Sequence, residues 1–307
     1  MCGELERTYK ARQLEGFLDV LFYRRIGFVV ARCAAKLKVA PAAITILSGA
    51  CGIVAGHLYF YRSFAVNIGG MFLHIAANTF DNADGQLARL TNRTSRSGRV
   101  LDGVADHLVF LSVYLHLAFR HVFAGGSPAV FVLALAAGLS HSCQSAIADY
   151  CRNGYLYFAN RRPDADLHPV ERVRAEYEDL SWRANLWHKL LLRLYINYSA
   201  QQQLLAPSLI ELREITRERY GTETPLWLSE HYASAMNPIT KCFSILTTNT
   251  RMLLLFAVLL LGRPTWYFII EISALNAVLA FTLVRQDRIC SELIAALRAR
   301  RPEPAPA

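Results

Sequence analysis

Residues 39–61, 64–80 and 127–148 contain no Asp, Glu, Lys or Arg. Stretches of this length suit an α-helix crossing about 30 Å of hydrocarbon at about 1.5 Å per residue. Read with the turn signals between them, they predict helical spans at 41–61, from Phe64 into Asp81 and Asp84, and at 128–150. A further span begins near Gly98 and ends near Arg120. Two more are predicted at about 240–262, interrupted by Arg251, and at 265–284, with Glu271 inside it. Arg62-Ser63, Gly125-Gly126-Ser127-Pro128 and Gly262-Arg263-Pro264 supply the turns. Ahead of the first span, residues 14–38 mix Phe, Leu and Val with Arg24, Arg25, Arg32, Lys36 and Lys38, a pattern suited to an amphipathic helix in the membrane interface. A polar insert, 152–238, separates the fourth and fifth spans, and its segment NLWHKLLLRLYINY has an apolar face suited to a second interfacial helix.

The expected fold is therefore all-α. It is an integral membrane bundle of six transmembrane helices with an N-terminal interfacial helix and a cytoplasmic helical insert between helices 4 and 5. The boundaries are 1–38 for the interfacial segment, 39–151 for spans one to four, 152–238 for the insert, 239–285 for spans five and six, and 286–307 for the tail. The last ten residues, RARRPEPAPA, read as solvated and frayed. The first 15 are too polar for the apolar core of a signal peptide, so insertion through the chain's own helices is expected.

Charge fixes an orientation. The chain is 53% hydrophobic and 19% charged, which excludes a disordered protein. Its net charge of +9 is unevenly placed. Lys and Arg concentrate in the N-terminal segment, residues 89–99, the insert and the tail, whereas the turns at 62–63, 120–127 and 263 hold one each. Six spans put all the basic segments on one side, so both termini are expected in the cytoplasm, with a bacterial inner membrane as the setting. No nucleic-acid partner is expected. None of the seven cysteines falls in a Cys-x-x-Cys spacing, and they read as small hydrophobes.

The chemistry is concentrated in DNADGQLARLTNRTSRSGRVLDGVAD, residues 81–106, where the second span leaves the membrane and the third enters it. Asp81 and Asp84, three apart, share a helix face, and so do Asp102 and Asp106, four apart on a stripe begun by Gly98. If the two helices are antiparallel neighbours, four carboxylates converge at the cytoplasmic end of the bundle. Uncompensated charges there cost several kcal/mol each. An all-oxygen donor set suits hard cations, Mg²⁺ or Mn²⁺, and two such ions together clamp phosphoryl oxygens. Gly85 and Gly98 allow a ligand close to the backbone, Ala88 keeps the Asp84 face shallow, and Arg89 offers a fork suited to phosphate. No Gly-rich P-loop is present. A divalent-cation transporter also needs intramembrane aspartates, but it leaves Gly85, Ala88, Arg89 and Gly98 unexplained.

The segment Asp84-Gly85-x-x-Ala88-Arg89, eight residues, then Gly98-x-x-x-Asp102-x-x-x-Asp106, preceded by Asp81, resembles the signature of the CDP-alcohol phosphotransferase (CDP-alcohol phosphatidyltransferase) family. The resemblance implies that Asp81, Asp84 and Asp102 ligate a two-metal centre of Mg²⁺ or Mn²⁺. It implies that Asp106 ligates the second metal and acts as general base on the acceptor hydroxyl. Gly85, Ala88, Arg89 and Gly98 would line the CDP pocket, with Ser95 in the connecting segment as a contact to the donor phosphate. Members often carry Pro-Asn-x-x-Thr at the start of the first span, which would add Thr45 to the CDP/donor contacts; here Pro41 and Thr45 are present, but the Asn position holds Ala42. The implied partners are a CDP-linked lipid or alcohol donor, a hydroxyl acceptor, membrane lipid and a second copy in a homodimer. The implied reaction transfers a phosphoalcohol or phosphatidyl group and releases CMP, as in inositol-lipid (phosphatidylinositol phosphate-like) synthases. The alternative branch transfers a head group from a CDP-amino-alcohol or CDP-polyol to diacylglycerol or ceramide. Outside the motif, Arg251 is a candidate for acceptor binding or for an ion pair with Glu271, and His141 and Gln144 for acceptor binding or interhelical hydrogen bonds.

Overall fold

The computed structural model describes residues 16–300, except 164, 166, 168–169 and 183–184. The extreme N-terminal segment and the last residues of the tail thus lie outside the described residues. Every regular element among the described residues is helical, with no strand. The chain divides into two compact units, one running to His141 and including Thr248–Ser273, the other comprising Ser142–Thr247 and the chain from Ala274.

The first unit begins with a π-helical turn, Asp19–Tyr23, that leads into α1, Arg24–Lys36. Tyr23, Phe28, Ala31 and Ala34 are buried, while Phe17, Leu21, Phe22, Ile26 and Val29 are exposed, so the segment offers a second apolar face of the kind an interfacial helix needs. After it come α2 (Pro41–Leu58), α3 (Phe64–Leu90) and α4 (Arg96–Val122). Pro41 occupies the first turn of α2, where its missing N–H costs nothing. Ser95 caps α4, its hydroxyl accepting from the Gly98 N–H at 3.0 Å.

α2 packs on both α3 and α4. A row of small residues makes the second contact close. A Cβ on Gly52 would sit 2.5 Å from Val109, one on Gly56 2.6 Å from the Ser112 hydroxyl, and one on Gly49 3.3 Å from Ala105. In lipid, where apolar side chains gain little by leaving the solvent, such backbone approach is a main source of helix association. At one end of this packing Arg120, buried, donates to the Tyr59 carbonyl at 3.0 Å and to Asn67 Oδ1 at 3.2 Å.

The unit is completed by the start of α5 (Val130–Phe158), α11 (Thr248–Leu260), α12 (Trp266–Ile270) and the start of a π-helical turn, Glu271–Leu275. Its main core joins Tyr59, Phe110, Tyr114, Leu117, Leu255 and Phe268. The second unit holds the rest of α5, then α6 (Val170–Asp179), α7 (Leu186–Leu205), α8 (Pro207–Tyr220), α9 (Leu226–Met236), a 3₁₀ turn at Asn237–Ile239, α10 (Thr240–Ile245) and α13 (Asn276–Ala299). α13 packs along α8, and the pairs Arg298–Glu211 (2.7 Å) and Arg219 with the Leu297 carbonyl fasten its end.

Among the described residues, four helices are long and apolar enough to cross a membrane: Pro41–Leu58, Ser97–Val122, Val130–Phe158 and Trp266–Ala299. A bent pair, Leu226–Ile245 with Thr248–Leu260, makes a fifth when counted as one span. This differs from the six spans read from the sequence in three places. α3 spans 27 residues, about 40 Å, but Asn67, His74, Asn78, Asp81 and Asp84 dilute its apolar face. The stretch at 240–262 is broken at Leu246 and Thr247. The stretch beginning at 265 runs on as helix to Ala299, well into the expected tail.

Candidate active site

Asp81 and Asp84 lie on α3 and Asp102 on α4. One carboxylate oxygen from each of the three falls within 4.8 Å of the others. Asp84 is buried; Asp81 and Asp102 are half-buried. The three therefore converge from two helices, as their spacing predicts. Asp106, one turn further along α4, stands outside the triple and is exposed. Its charge still acts on Asp81, and the charges of Asp84 and Asp102 act on it.

Packing explains the convergence. α2 lies against both helices that carry the acids, and its side chains tie into α3 at two points. The Thr45 hydroxyl donates to Asp84 Oδ2. One turn on, the Ser48 hydroxyl donates to the Ala77 carbonyl at 2.8 Å. α1 braces α3 from another side: a Cβ on Gly27 would come within 2.9 Å of Gln86 Oε1 and 3.3 Å of the Ala83 N, and Gln86 Nε2 donates to the Arg24 carbonyl at 3.0 Å. A polar chain continues this bracing, with Asn78 Nδ2 donating to Asn249 Oδ1 and Asn249 Nδ2 to Asp19 Oδ1, each at 2.7 Å.

The remaining motif residues surround the acids. The Arg89 guanidinium lies over Gly85, 3.4 Å from where a Cβ would stand, and its positive charge acts on Asp84. Ala88 is half-buried beside it. At the start of α4, Ser95 is exposed and its oxygen is engaged by Gly98. The structure thus gives Thr45 and Ser95 partners of their own: Thr45 orients a carboxylate, and Ser95 starts the helix that carries Asp102.

Each of the three residues considered for acceptor binding has a partner outside this cluster. Arg251 Nε is 3.2 Å from Glu271 Oε1, both side chains fully buried. His141 Nδ1 is 3.0 Å from the Tyr114 hydroxyl, and Tyr114 stacks on Tyr267 with ring centroids 5.7 Å apart. Gln144 Nε2 donates to Asn276 Oδ1 at 2.8 Å. His107 is exposed and bonds the Gly103 carbonyl of its own helix at 2.6 Å.

Thr45, Ser48 and Gln86 as positioning groups, and Gly49, Gly52 and Gly56 as the seam, are not singled out by sequence reasoning. The Gly52-x-x-x-Gly56 spacing is the sequence signal for close helix packing, but it does not say which helix faces it.

The donor set is three carboxylates with a hydroxyl holding one of them, which fits hard oxygen-seeking cations and offers no sulfur or imidazole to softer ones. Residues 38–149 match the family model of CDP-alcohol phosphatidyltransferase. The matched region, just over a third of the chain, includes α2, α3, α4 and every residue of the acid cluster. A search of curated protein sequences returns no match.

Proposed function

We propose that the acid cluster carries out in this chain the reaction class of the family that residues 38–149 match, transfer of a phosphatidyl group from a CDP-alcohol to a hydroxyl acceptor. That family comprises transferases of substituted phosphate groups. The observation that carries the reading is the meeting of Asp81, Asp84 and Asp102 beside Arg89 and the exposed Asp106.

In this reading Asp81, Asp84 and Asp102 hold Mg²⁺ or Mn²⁺, two ions in all with Asp106 as a further ligand. When bound, such ions neutralise the pyrophosphate and the charge that develops on the departing phosphate. Arg89 binds a donor phosphate through its fork, and the small side chains at Gly85, Ala88 and Gly98 leave room for the nucleotide. Asp106 takes the proton of the acceptor hydroxyl. The hydroxyl oxygen then forms a bond to the phosphorus that bears the alcohol. The bond from that phosphorus to the bridging oxygen breaks, and the oxygen leaves with CMP. Thr45 holds the Asp84 carboxylate in the orientation that metal binding requires.

The favoured donor is a CDP-linked diacylglycerol and the favoured acceptor a small polar alcohol, inositol phosphate among the candidates. The Lys and Arg concentrated in the segments assigned to the side of the acids favour anionic partners. α3 is assigned as a sixth span despite its polar residues, because Gln86, Asp84 and Asn78 bond to α1, α2 and α11 respectively. Both termini and the insert then lie in the cytoplasm. The test is purified protein given CDP-diacylglycerol with glycerol phosphate, serine, inositol or inositol phosphate in turn, followed by mass spectrometry of the lipids. One acceptor should yield a new phosphatidyl lipid with equimolar CMP. No CMP release with any acceptor, or release only from a CDP-head-group with diacylglycerol, overturns the assignment.

A further inference from the structure

The remote ends of α2 and α4 hold a pair of histidines that the transfer reaction does not use. His57 lies in the last turn of α2, 12 residues beyond Thr45 and hence about 18 Å along the helix from the acids. His116 faces it from α4. Their Nδ1 and Nε2 atoms are 3.1 Å apart, and the rings meet edge to face with centroids 4.9 Å apart.

The hydrogen bonds around the pair define its lone pairs. His116 Nδ1 lies 2.7 Å from the Ser112 carbonyl oxygen, a contact that only an N–H makes. The Ser112 hydroxyl donates to the Ile53 carbonyl at 2.9 Å, so its oxygen, 3.2 Å from the same Nδ1, is a second acceptor. His116 is therefore the tautomer with a bare Nε2, and that lone pair points at His57. A backbone carbonyl on the far nitrogen is the arrangement that orients a metal-ligating imidazole and raises its basicity. Tyr61, one turn after His57, places its hydroxyl 3.4 Å from His57 Nε2. When that hydroxyl accepts from Nε2–H, His57 presents a bare Nδ1 to His116 as well. Two nitrogens bound to one ion at about 2.0–2.1 Å stand about 2.9–3.4 Å apart across square-planar to tetrahedral angles, which brackets the observed separation.

We propose that His57 and His116 form a second metal site, a two-nitrogen chelate for borderline divalent cations such as Zn²⁺, Cu²⁺ or Ni²⁺. Its chemistry is complementary to the acid cluster: imidazole selects these ions over Mg²⁺. His57 is exposed and stands one residue from the end of α2, which leaves the remaining coordination positions open to other ligands. Both ligands stand on helices already locked together by Gly49, Gly52 and Gly56, so little ordering is required to bind. An ion there clamps α2 to α4 at the end of the seam opposite the acids.

The test uses the full chain purified in detergent with millimolar Mg²⁺ present throughout. One equivalent of Cu²⁺ is added and the electron paramagnetic resonance spectrum recorded, then Zn²⁺ binding is titrated by calorimetry. Wild type should show superhyperfine splitting from two imidazole nitrogens, and a Zn²⁺ isotherm containing one site that His57→Gln and His116→Gln each weaken at least about tenfold, the loss of one of two ligands. Zn²⁺ should raise the Tm of wild type and not of the double variant. The variants should elute from gel filtration as wild type does and release CMP at the wild-type rate, since neither residue touches the acids. A spectrum without the two-nitrogen pattern, or one unchanged in His116→Gln, overturns the site and leaves the pair as a hydrogen bond only. Loss of CMP release in wild type would bear on the transfer reaction alone and leave this result standing.

Discussion

Asp84 is the residue at which three helices meet. It lies on α3, its charge acts on Asp106 from α4, and it accepts a hydroxyl from Thr45 on α2. Asp106 differs in being exposed and outside the group of three, which suits a base that must reach an incoming hydroxyl rather than only hold an ion. Replacing it separates the two roles. Asp106→Asn keeps the shape and removes the base, so kcat should fall about 10²–10⁴-fold, the usual range for losing general-base catalysis. Donor affinity should fall far less, because Asp81, Asp84, Asp102 and Arg89 remain. Steady-state kinetics with a parallel measurement of donor binding checks this. A kcat within about threefold of wild type, far inside that range, excludes Asp106 as the base.

At the scale of the element, the seam between α2 and α4 determines whether the acids meet. A methyl on Gly56 would lie 2.6 Å from the Ser112 hydroxyl and 2.9 Å from the Val113 backbone nitrogen, so the helices must part to accept it. Gly56→Ala should cost about 1–3 kcal/mol, the usual cost of overpacking. By shifting α4 it should also lower the affinity for Mg²⁺. Gly69→Ala is the matched control, since nothing lies within 4 Å of its would-be Cβ. Thermal melting in detergent and Mg²⁺ titration of activity should separate the two; equal behaviour would show that the seam does not position the acids. This seam marks a boundary of what the sequence discloses. The acid spacing is legible because i, i+3 and i, i+4 carboxylates have one geometric meaning on a helix. Glycines in an apolar stretch are not, because the same letters suit a lipid-facing turn, and only the facing Ala105, Val109 and Ser112 distinguish the cases. The Arg251–Glu271 pair was half legible: the two charges are visible inside apolar stretches, but their 3.2 Å contact depends on how α11 packs beside the π-helical turn. Removing one member of such a pair strands a buried charge, which is why neither is expected to be free to bind an acceptor.

For the whole molecule, the number of helices that cross the bilayer decides which side each connection occupies. Hydropathy averages over a helix, so it recognises α2, α4, α5 and the long helix ending at Ala299. It passes over α3, where Asn78, Asp84 and Gln86 bond to neighbouring helices. The break at Leu246–Thr247 was not legible either, since no Pro or Gly marks it. Six spans predict that cysteines introduced at Ser63, Gly125 and Gly262 label with an impermeant reagent from outside intact cells, while one at Ala165 does not. External labelling of Ala165→Cys would reverse or remove a span.

In the proposed function these helices hold carboxylates around metal ions that serve phosphatidyl transfer. This role is tested most directly by following CMP release from a CDP-linked donor as metal is withdrawn and restored. With EDTA in excess, release should stop, and adding Mg²⁺ or Mn²⁺ should restore it in wild type but not in Asp84→Asn or Asp102→Asn. Full turnover in metal-free buffer would show that the carboxylates do not act through a metal ion.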